Sequence, residues 1–286
     1  MDPSYLTTKE VAELLRVRER KVYDMVAAGE IPHRKVTGKL LFPQSELTAW
    51  IEGEGAARGG VRPAVVTGSH DPLLDWAIHE SGAALATLWN GSTAGLGAFG
   101  RGEAAVAGLH IAGAEGWNID AVAAQGVRDA VLIGWASRAR GLILSPAVAD
   151  TIRGIADLRG RRVVLRQEGA GATALLDRLL AEAGLTRSDL VSPARPAHTE
   201  SDAAAAVAAG EAEATLGIEA SARQFGLVFR PLLRERFDLL VDRRAWFTEA
   251  LQRLAEFMRS DAVAAKAAAL GGYETSDMGR VRWISP

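Results

Sequence analysis

Seven basic side chains stand between residues 16 and 42: Arg16, Arg18, Arg20, Lys21, Arg34, Lys35 and Lys39. Only Glu19, Asp24 and Glu30 oppose them, so the stretch carries +4 in a 286-residue chain whose formal net charge is −2. A local cationic patch of this kind gains affinity for phosphates by releasing their counterions, while base reading needs a few side chains in a groove. Nucleic-acid contact must therefore come from this segment and not from the field of the whole molecule.

A second set of residues has the chemistry of small-ligand binding. Gly68-Ser69-His70 and Asn90-Gly91-Ser92-Thr93 are small polar loops that each follow an apolar run and precede a helical pattern. Glu168-Gly169-Ala170-Gly171-Ala172-Thr173 follows the strand-like stretch 161–167, and its glycines permit close backbone approach. Thr199-Glu200-Ser201-Asp202 opens an alanine-rich helix, and Glu219 follows the strand pattern 214–218. The candidate ligand contacts are Ser69, His70, Asn90, Ser92, Thr93, His110, Gly169, Gly171, Thr173, Thr199 and Glu219. Helix capping alone would account for any single serine among them. The glycine loop lacks the Gly-Lys-Ser/Thr ending of a nucleotide P-loop.

Catalytic chemistry finds little support. His33, His70, His79, His110 and His198 are scattered without metal-ligand spacing. Ser69-His70-Asp71 has the letters of a triad, but adjacent residues cannot point at one another as nucleophile, base and orienter must. With no cysteine there is neither a disulfide nor a thiolate metal site. No catalytic residue, metal ligand or cofactor is expected.

The elements that position these groups follow from periodicity and punctuation. Thr7-Thr8-Lys9-Glu10 has capping-box spacing, and Val11, Leu14 and Leu15 recur at helical intervals, predicting a helix over about 8–15. A second helix carries Val22, Met25 and Val26 inward and ends at Gly29 and Pro32. Residues 33–42 read as two short strands around a Thr37-Gly38 turn, followed by a helix that opens at Pro43 and buries Leu47, Trp50 and Ile51. Gly and Ala dominate residues 53–60, which read as a connector. Beyond it, runs at 64–66, 84–89 and 105–111 alternate with helical patterns, which predicts an open parallel sheet covered on both faces. Ligands of such sheets sit beyond the C-terminal strand ends.

Composition is that of a globular protein, 48% hydrophobic and 24% charged. The first residues lack a basic and apolar signal segment, and no apolar run approaches the roughly 20 residues that span a bilayer. A cytoplasmic chain without membrane contact is expected. Domains are assigned to 1–53, a connector at 54–62, and 63–286, the last divided into lobe 1 at about 63–140 and 240–286 and lobe 2 at about 141–239.

Residues 5–52 resemble the winged helix-turn-helix of the excisionase and MerR-like families, through Thr7-Thr8-Lys9-Glu10-Val11-Ala12-Glu13-Leu14-Leu15 and Gly29-Glu30-Ile31-Pro32. The resemblance implies that the second helix enters the major groove of double-stranded DNA and the wing grips its backbone. On this chain the roles fall to Arg18, Arg20, Lys21 and Tyr23 on the helix, and Lys35 and Lys39 on the wing. The family usually has Ser or Thr where Arg18 stands, so a weaker helix cap is expected.

Residues 65–283 resemble the periplasmic-binding-protein-like domain found inside cytoplasmic proteins. The strings that carry the likeness are Gly68-Ser69-His70-Asp71, Gly102-Glu103-Ala104-Ala105-Val106-Ala107-Gly108-Leu109-His110, Arg166-Gln167 with Gly169 and Gly171, and Gly271-Gly272-Tyr273-Glu274-Thr275-Ser276-Asp277-Met278-Gly279. This likeness implies a multidomain chain, a small winged helix-turn-helix followed by two α/β lobes that close on a ligand. Family members commonly carry Arg or Thr within the glycine loop, where this chain has Glu168, Ala170, Ala172 and Thr173. That difference weakens the case for an arginine-clamped carboxylate. A tetrahedral oxyanion such as molybdate or tungstate fits hydroxyl and backbone N–H donors.

The expected function is a ligand-responsive, one-component bacterial transcriptional regulator acting as a homodimer. Two alternatives stay open: a cytoplasmic binding protein for an oxyanion, and a regulator that holds an organic ligand in a pocket lined by Trp89, Trp117 and Trp135. The operator, and the sign of the response, do not follow from sequence.

Overall fold

The computed structural model describes residues 5–28, 31–51, 62–113, 116–193 and 195–286. The Gly29 cap and residues 54–61 of the connector lie outside the described residues. The chain divides into two compact units, Met1–Gly60 and Val61–Pro286.

In the first unit, β1 (Tyr5–Thr7) leads into α1 (Thr8–Leu15) and α2 (Glu19–Ala27), then β2 (Arg34–Val36), β3 (Lys39–Pro43) and α3 (Gln44–Ile51). The capping box forms: Thr7 Oγ1 accepts from the Glu10 amide, and the Thr7 amide donates to Glu10 Oε2 at 2.7 Å. Arg16 closes α1 in the left-handed region at φ 55°, which turns the chain into α2 within three residues. Arg18 caps α2 without a side-chain hydrogen bond. At the wing tip Thr37 and Gly38 both have positive φ, 49° and 83°, the pattern of a two-residue hairpin turn. β3 is central, pairing antiparallel with both β2 and β1. Val11, Ala12, Val22, Ile31, Phe42 and Leu47 form the core. Ile51 differs from expectation: it is 47% exposed, because Leu47, one turn earlier, already fills the core position.

The second unit begins with β4 (Val65–Gly68), α4 (Pro72–Glu80), β5 (Ala86–Trp89), α5 (Ser92–Gly100), β6 (Val106–Leu109) and α6 (Ile119–Ala124). A long strand β7 (Ala130–Leu144) follows, then β8 (Val163–Val164), α7 (Gly171–Glu182), α8 (Glu200–Ala208), β9 (Ala214–Ile218) and α9 (Glu219–Gln224). A second long strand, β10 (Val228–Asp242), precedes α10 (Glu249–Phe257), α11 (Asp261–Leu270), β11 (Tyr273–Glu274) and β12 (Val281–Ile284).

The three runs from which a parallel sheet was expected do pair in parallel, but as one part of a mixed sheet. Strands run in the order β5-β4-β6-β10-β7-β9-β8, with β11 and β12 added to β7. Only β4 with β5 and β6, and β8 with β9, pair in parallel; β7 and β10 are antiparallel to each other and to their other partners. At 15 residues each, β7 and β10 extend about 50 Å, long enough to belong to two lobes at once. β10 joins lobe 1 through β6 at Asp238–Val241, and β7 joins lobe 2 through β9 at Arg140–Leu144. The pairing slips between Pro231 and Leu233 and between Phe237 and Asp238, bulges that add twist along the crossing pair. The boundaries drawn at 140/141 and 239/240 both fall inside these strands, so the lobes share continuous backbone.

Lobe 1 packs Leu73, Leu74, Trp135, Phe237 and Leu254 on one side of its sheet and Leu96, Phe99, Leu109 and Val122 on the other. Lobe 2 closes around Leu142, Leu144, Leu175, Leu176 and Leu216. Among the described residues no helix is long and apolar enough to cross a membrane.

Candidate functional site

On the first unit, packing of Val22 against the core turns the other faces of α2 outward. Arg18, Arg20 and Lys21 are exposed, as are Lys35 and Lys39 on the wing, and Tyr23 is 52% exposed. These five cations make no ion pair among the described residues, whereas Arg34 binds Glu46 at 2.8 Å. These five cations lie on one helix and one hairpin, the two elements able to meet a groove and its flanking phosphates.

In the second unit the two lobes meet over the crossing strands. The Thr93 amide of lobe 1 donates to Gly169 O of lobe 2 at 3.1 Å. Gly171, at the start of α7, sits so close to lobe 1 that a Cβ there would stand 2.6 Å from His110 O and 2.9 Å from His110 Cε1. A Cβ on Gly91 would stand 2.8 Å from Gly169 O. The glycine loop thus serves as a contact between lobes, and both sides need the absent side chains.

Behind this contact lies a buried ion cluster. Arg138 and Arg140 project from β7, Glu235 from β10, Asp71 from the N-cap of α4, and Arg166 and Glu200 from lobe 2; all are at most 7% exposed. Arg138 Nη1 donates to Asp71 Oδ2 at 2.7 Å, and its Nη2 donates to Glu235 Oε1. Asp71 also accepts from Trp135 Nε1 at 3.0 Å, from the Leu74 amide at 2.8 Å and from Tyr273 Oη at 2.7 Å. Arg140 Nη2 donates to Glu200 Oε1 at 2.8 Å, and its Nε lies 2.7 Å from Glu235 Oε2 as an ion pair without hydrogen-bond alignment. Arg166 Nη1 lies 2.9 Å from Glu200 Oε1.

Three guanidiniums thus balance three carboxylates. Burial alone would raise the Glu200 pKa, but Arg140, Arg166 and Arg138 outweigh it and hold the group at about 2. Burial opposes ionisation of Glu235 too, and Arg138, Arg140 and His110 hold it well below the usual carboxylate range. His110, stacked on Phe237 with its Nδ1 3.1 Å from Glu235 Oε2, has its pKa lowered by burial. A neutral ring there donates from Nδ1 to the carboxylate.

Comparison with known proteins supplies the lineage. Residues 76–259 match the family model described as the PBP superfamily domain, and residues 5–55 match a helix-turn-helix domain. The chain belongs to the PBP superfamily domain family. YvgK of Bacillus subtilis (strain 168), itself uncharacterized, is 27% identical to this PBP-domain protein over 304 residues, covering 98% of each chain. Among solved structures, a protein described as a phosphate ABC transporter substrate-binding protein from Clostridium perfringens, with bound phosphate, is similar at TM-score 0.53. It is 11% identical, and the match covers 76% of this chain and 99% of that one. The regulatory domain of MetR, a LysR family regulator from N. meningitidis, is similar at TM-score 0.50 and 13% identity, covering 73% and 96%. These two likenesses are of fold. In broad class, a helix-turn-helix domain joined to a PBP domain is a ligand-sensing DNA-binding regulator.

Within the PBP domain the residues singled out by sequence fall into three groups. Ser69, Ser92 and His110 come together: the Ser69 and Ser92 hydroxyls are 2.8 Å apart, and the His110 amide donates to Ser92 Oγ at 3.1 Å. His70 lies beside them in sequence but lines a cavity of about 670 Å³ bordered by α4, α9 and α11, with Ser201, Arg223 and Lys266 on its wall. Its Nδ1 has no hydrogen-bond partner, its ring meets Trp89 edge-on at 5.6 Å, and burial lowers its pKa.

Other hydroxyls and carbonyls are engaged by the fold. Asn90 Oδ1 accepts from Thr67 Oγ1 and the Gly68 amide, Thr173 Oγ1 donates to the carbonyls of Arg166 and Gln167, and Thr199 caps α8. Thr93 is exposed, and Glu219 is paired with Arg223. The three tryptophans do not line one pocket. Trp135 is wholly buried in the core, Trp89 donates to Asp75, and Trp117 borders a separate cavity with Arg236 and Arg282.

The case against an arginine-clamped carboxylate, argued from the glycine loop alone, is also revised, since arginines come from β7 and from residue 166. Asp71, Arg138, Arg140, Arg166, Glu200 and Glu235 were missed as site residues. The available signal was alternation: Arg138 and Arg140 recur at period two within an otherwise small and apolar strand, which places both on one face. Among the described residues no group of three or more His, Asp or Glu could hold a metal ion.

Proposed function

We propose that this PBP-domain protein is a one-component bacterial transcriptional regulator that reads DNA through α2 and the wing and senses a small anionic ligand in the cleft between its lobes. The observation that carries the proposal is the pairing, in one chain, of an uncompensated cationic helix and hairpin with a two-lobed domain whose facing loops meet over buried arginines. Crossing strands let lobes rotate about shared backbone, so a ligand that bridges both lobes favours one lobe arrangement over another. Buried guanidiniums and serine hydroxyls suit an oxyanion, molybdate and tungstate among the tetrahedral ones. The proposal includes a cytoplasmic homodimer on a two-fold related operator, and no catalysis.

Its test is salt-dependent binding of the full chain to the DNA upstream of its own gene. Replacing Arg20 and Lys21 by Ala is expected to weaken binding at every sequence and lower the salt slope by about two counterions, without altering ligand affinity. Unchanged DNA affinity in the double variant contradicts the assignment of α2.

A further inference from the structure

Two guanidiniums converge on a single carboxylate oxygen. Glu200 Oε1 takes Arg140 Nη2 at 2.8 Å and Arg166 Nη1 at 2.9 Å. Glu200 Oε2 and Arg140 Nη1 have no hydrogen-bond partner, although both side chains are at most 1% exposed. Arg166 is held independently of Glu200, its Nε donating to Ala197 O at 3.2 Å and its Nη2 to His198 O at 2.8 Å. Arg140 keeps its 2.7 Å ion pair with Glu235. Withdrawal of Glu200 would leave both cations in place, with donors aimed at a vacated oxygen.

Resting on the reading of the cleft as a ligand site, we infer that the Arg140–Arg166 pair is its anion subsite and that Glu200 occupies it as a built-in competitor, displaced by an incoming small oxyanion. Charge balance requires the displacement. Asp71, Glu200 and Glu235 already neutralise Arg138, Arg140 and Arg166, so an anion added to the intact cluster would be buried without a counter-charge. Exchange of one carboxylate for one oxyanion keeps the balance. The oxyanion also brings the acceptors that Arg140 Nη1 lacks.

Open space lies one residue from Glu200. That glutamate is the first residue of α8, and its neighbour Ser201 lines a cavity of about 670 Å³ whose wall also carries His70, Arg223 and Lys266. The chemistry recognised is an oxyanion face of carboxylate size, offered by a tetrahedral inorganic ion or by an organic carboxylate.

Calorimetric titration of the full chain with sodium molybdate, sodium phosphate and sodium succinate tests this and separates the two sources. Glu200→Gln is expected to tighten binding of at least one of these anions by about tenfold, the scale of one charge-assisted contact. The gain should vanish when Arg166→Gln is added. Equal or weaker binding of all three anions by Glu200→Gln overturns the inference. If that variant does not fold, Glu200→Asp keeps the charge but draws it back from the pair. It should then tighten binding several-fold, and unchanged or weaker binding again overturns the inference. Loss of DNA binding by the wild-type chain would sink the regulator reading and leave these titrations standing.

Discussion

Arg138 and Glu235 are paired across the crossing strands, and neither could be buried alone. Removing one partner of a buried pair leaves an uncompensated charge, which costs about 3–5 kcal/mol. Glu235→Gln should lose stability on that scale in urea unfolding, and a loss below about 1 kcal/mol would contradict the cluster as described. Acid should expose the same network through Glu200. Its folded-state pKa of about 2 lies below the ordinary 4.5, so its contribution is complete above about 4.5 and fades as pH falls toward 2. The full effect is on the order of 3 kcal/mol. Unfolding midpoints that stay flat between about pH 5 and pH 2.5 would be inconsistent with the shift. From sequence, the loops that carry Ser69, His110 and the two glycines Gly169 and Gly171 were legible as loops because strand ends and helix starts are local features. The ion cluster was not, because its six members are spread from residue 71 to residue 235 over strands, loops and helix starts that only the tertiary fold brings together.

At the scale of elements the first unit was read almost residue for residue. The capping box, the Thr37-Gly38 turn and the short helices are set by neighbours within four positions, so sequence contains their causes. β7 and β10 went unread for the opposite reason. Arg138, Arg140 and Glu235 interrupt their apolar runs, and their buried partners lie 60 to 125 residues away in sequence. Parallel pairing, read from the runs that became β4, β5 and β6, is correct for those strands. Lobe contact depends on Gly171, whose backbone is not in the left-handed region and whose only special demand is space. Gly171→Ala should therefore keep α7 intact but hold the lobes apart. Small-angle scattering is expected to show a larger radius of gyration than wild type in saturating anion, and an identical profile would show that the loop tolerates the methyl group.

For the whole molecule, two units with separate cores sit in one chain, and their charge is divided unevenly. In a chain of net charge −2, α2 and the wing together present five exposed cations without an ion pair among the described residues, so attraction to DNA is local and salt-sensitive. Ligand energy reaches DNA only if the ligand prefers one lobe arrangement and that arrangement changes DNA affinity; equal preference would shift nothing. The most direct measurement is the dissociation constant of the full chain for its upstream DNA, with and without the oxyanion that most raises its thermal stability. The account predicts a salt-sensitive affinity that changes by about fivefold or more on saturation with that anion. The same dissociation constant in both conditions, or no DNA binding at any salt concentration, would contradict it.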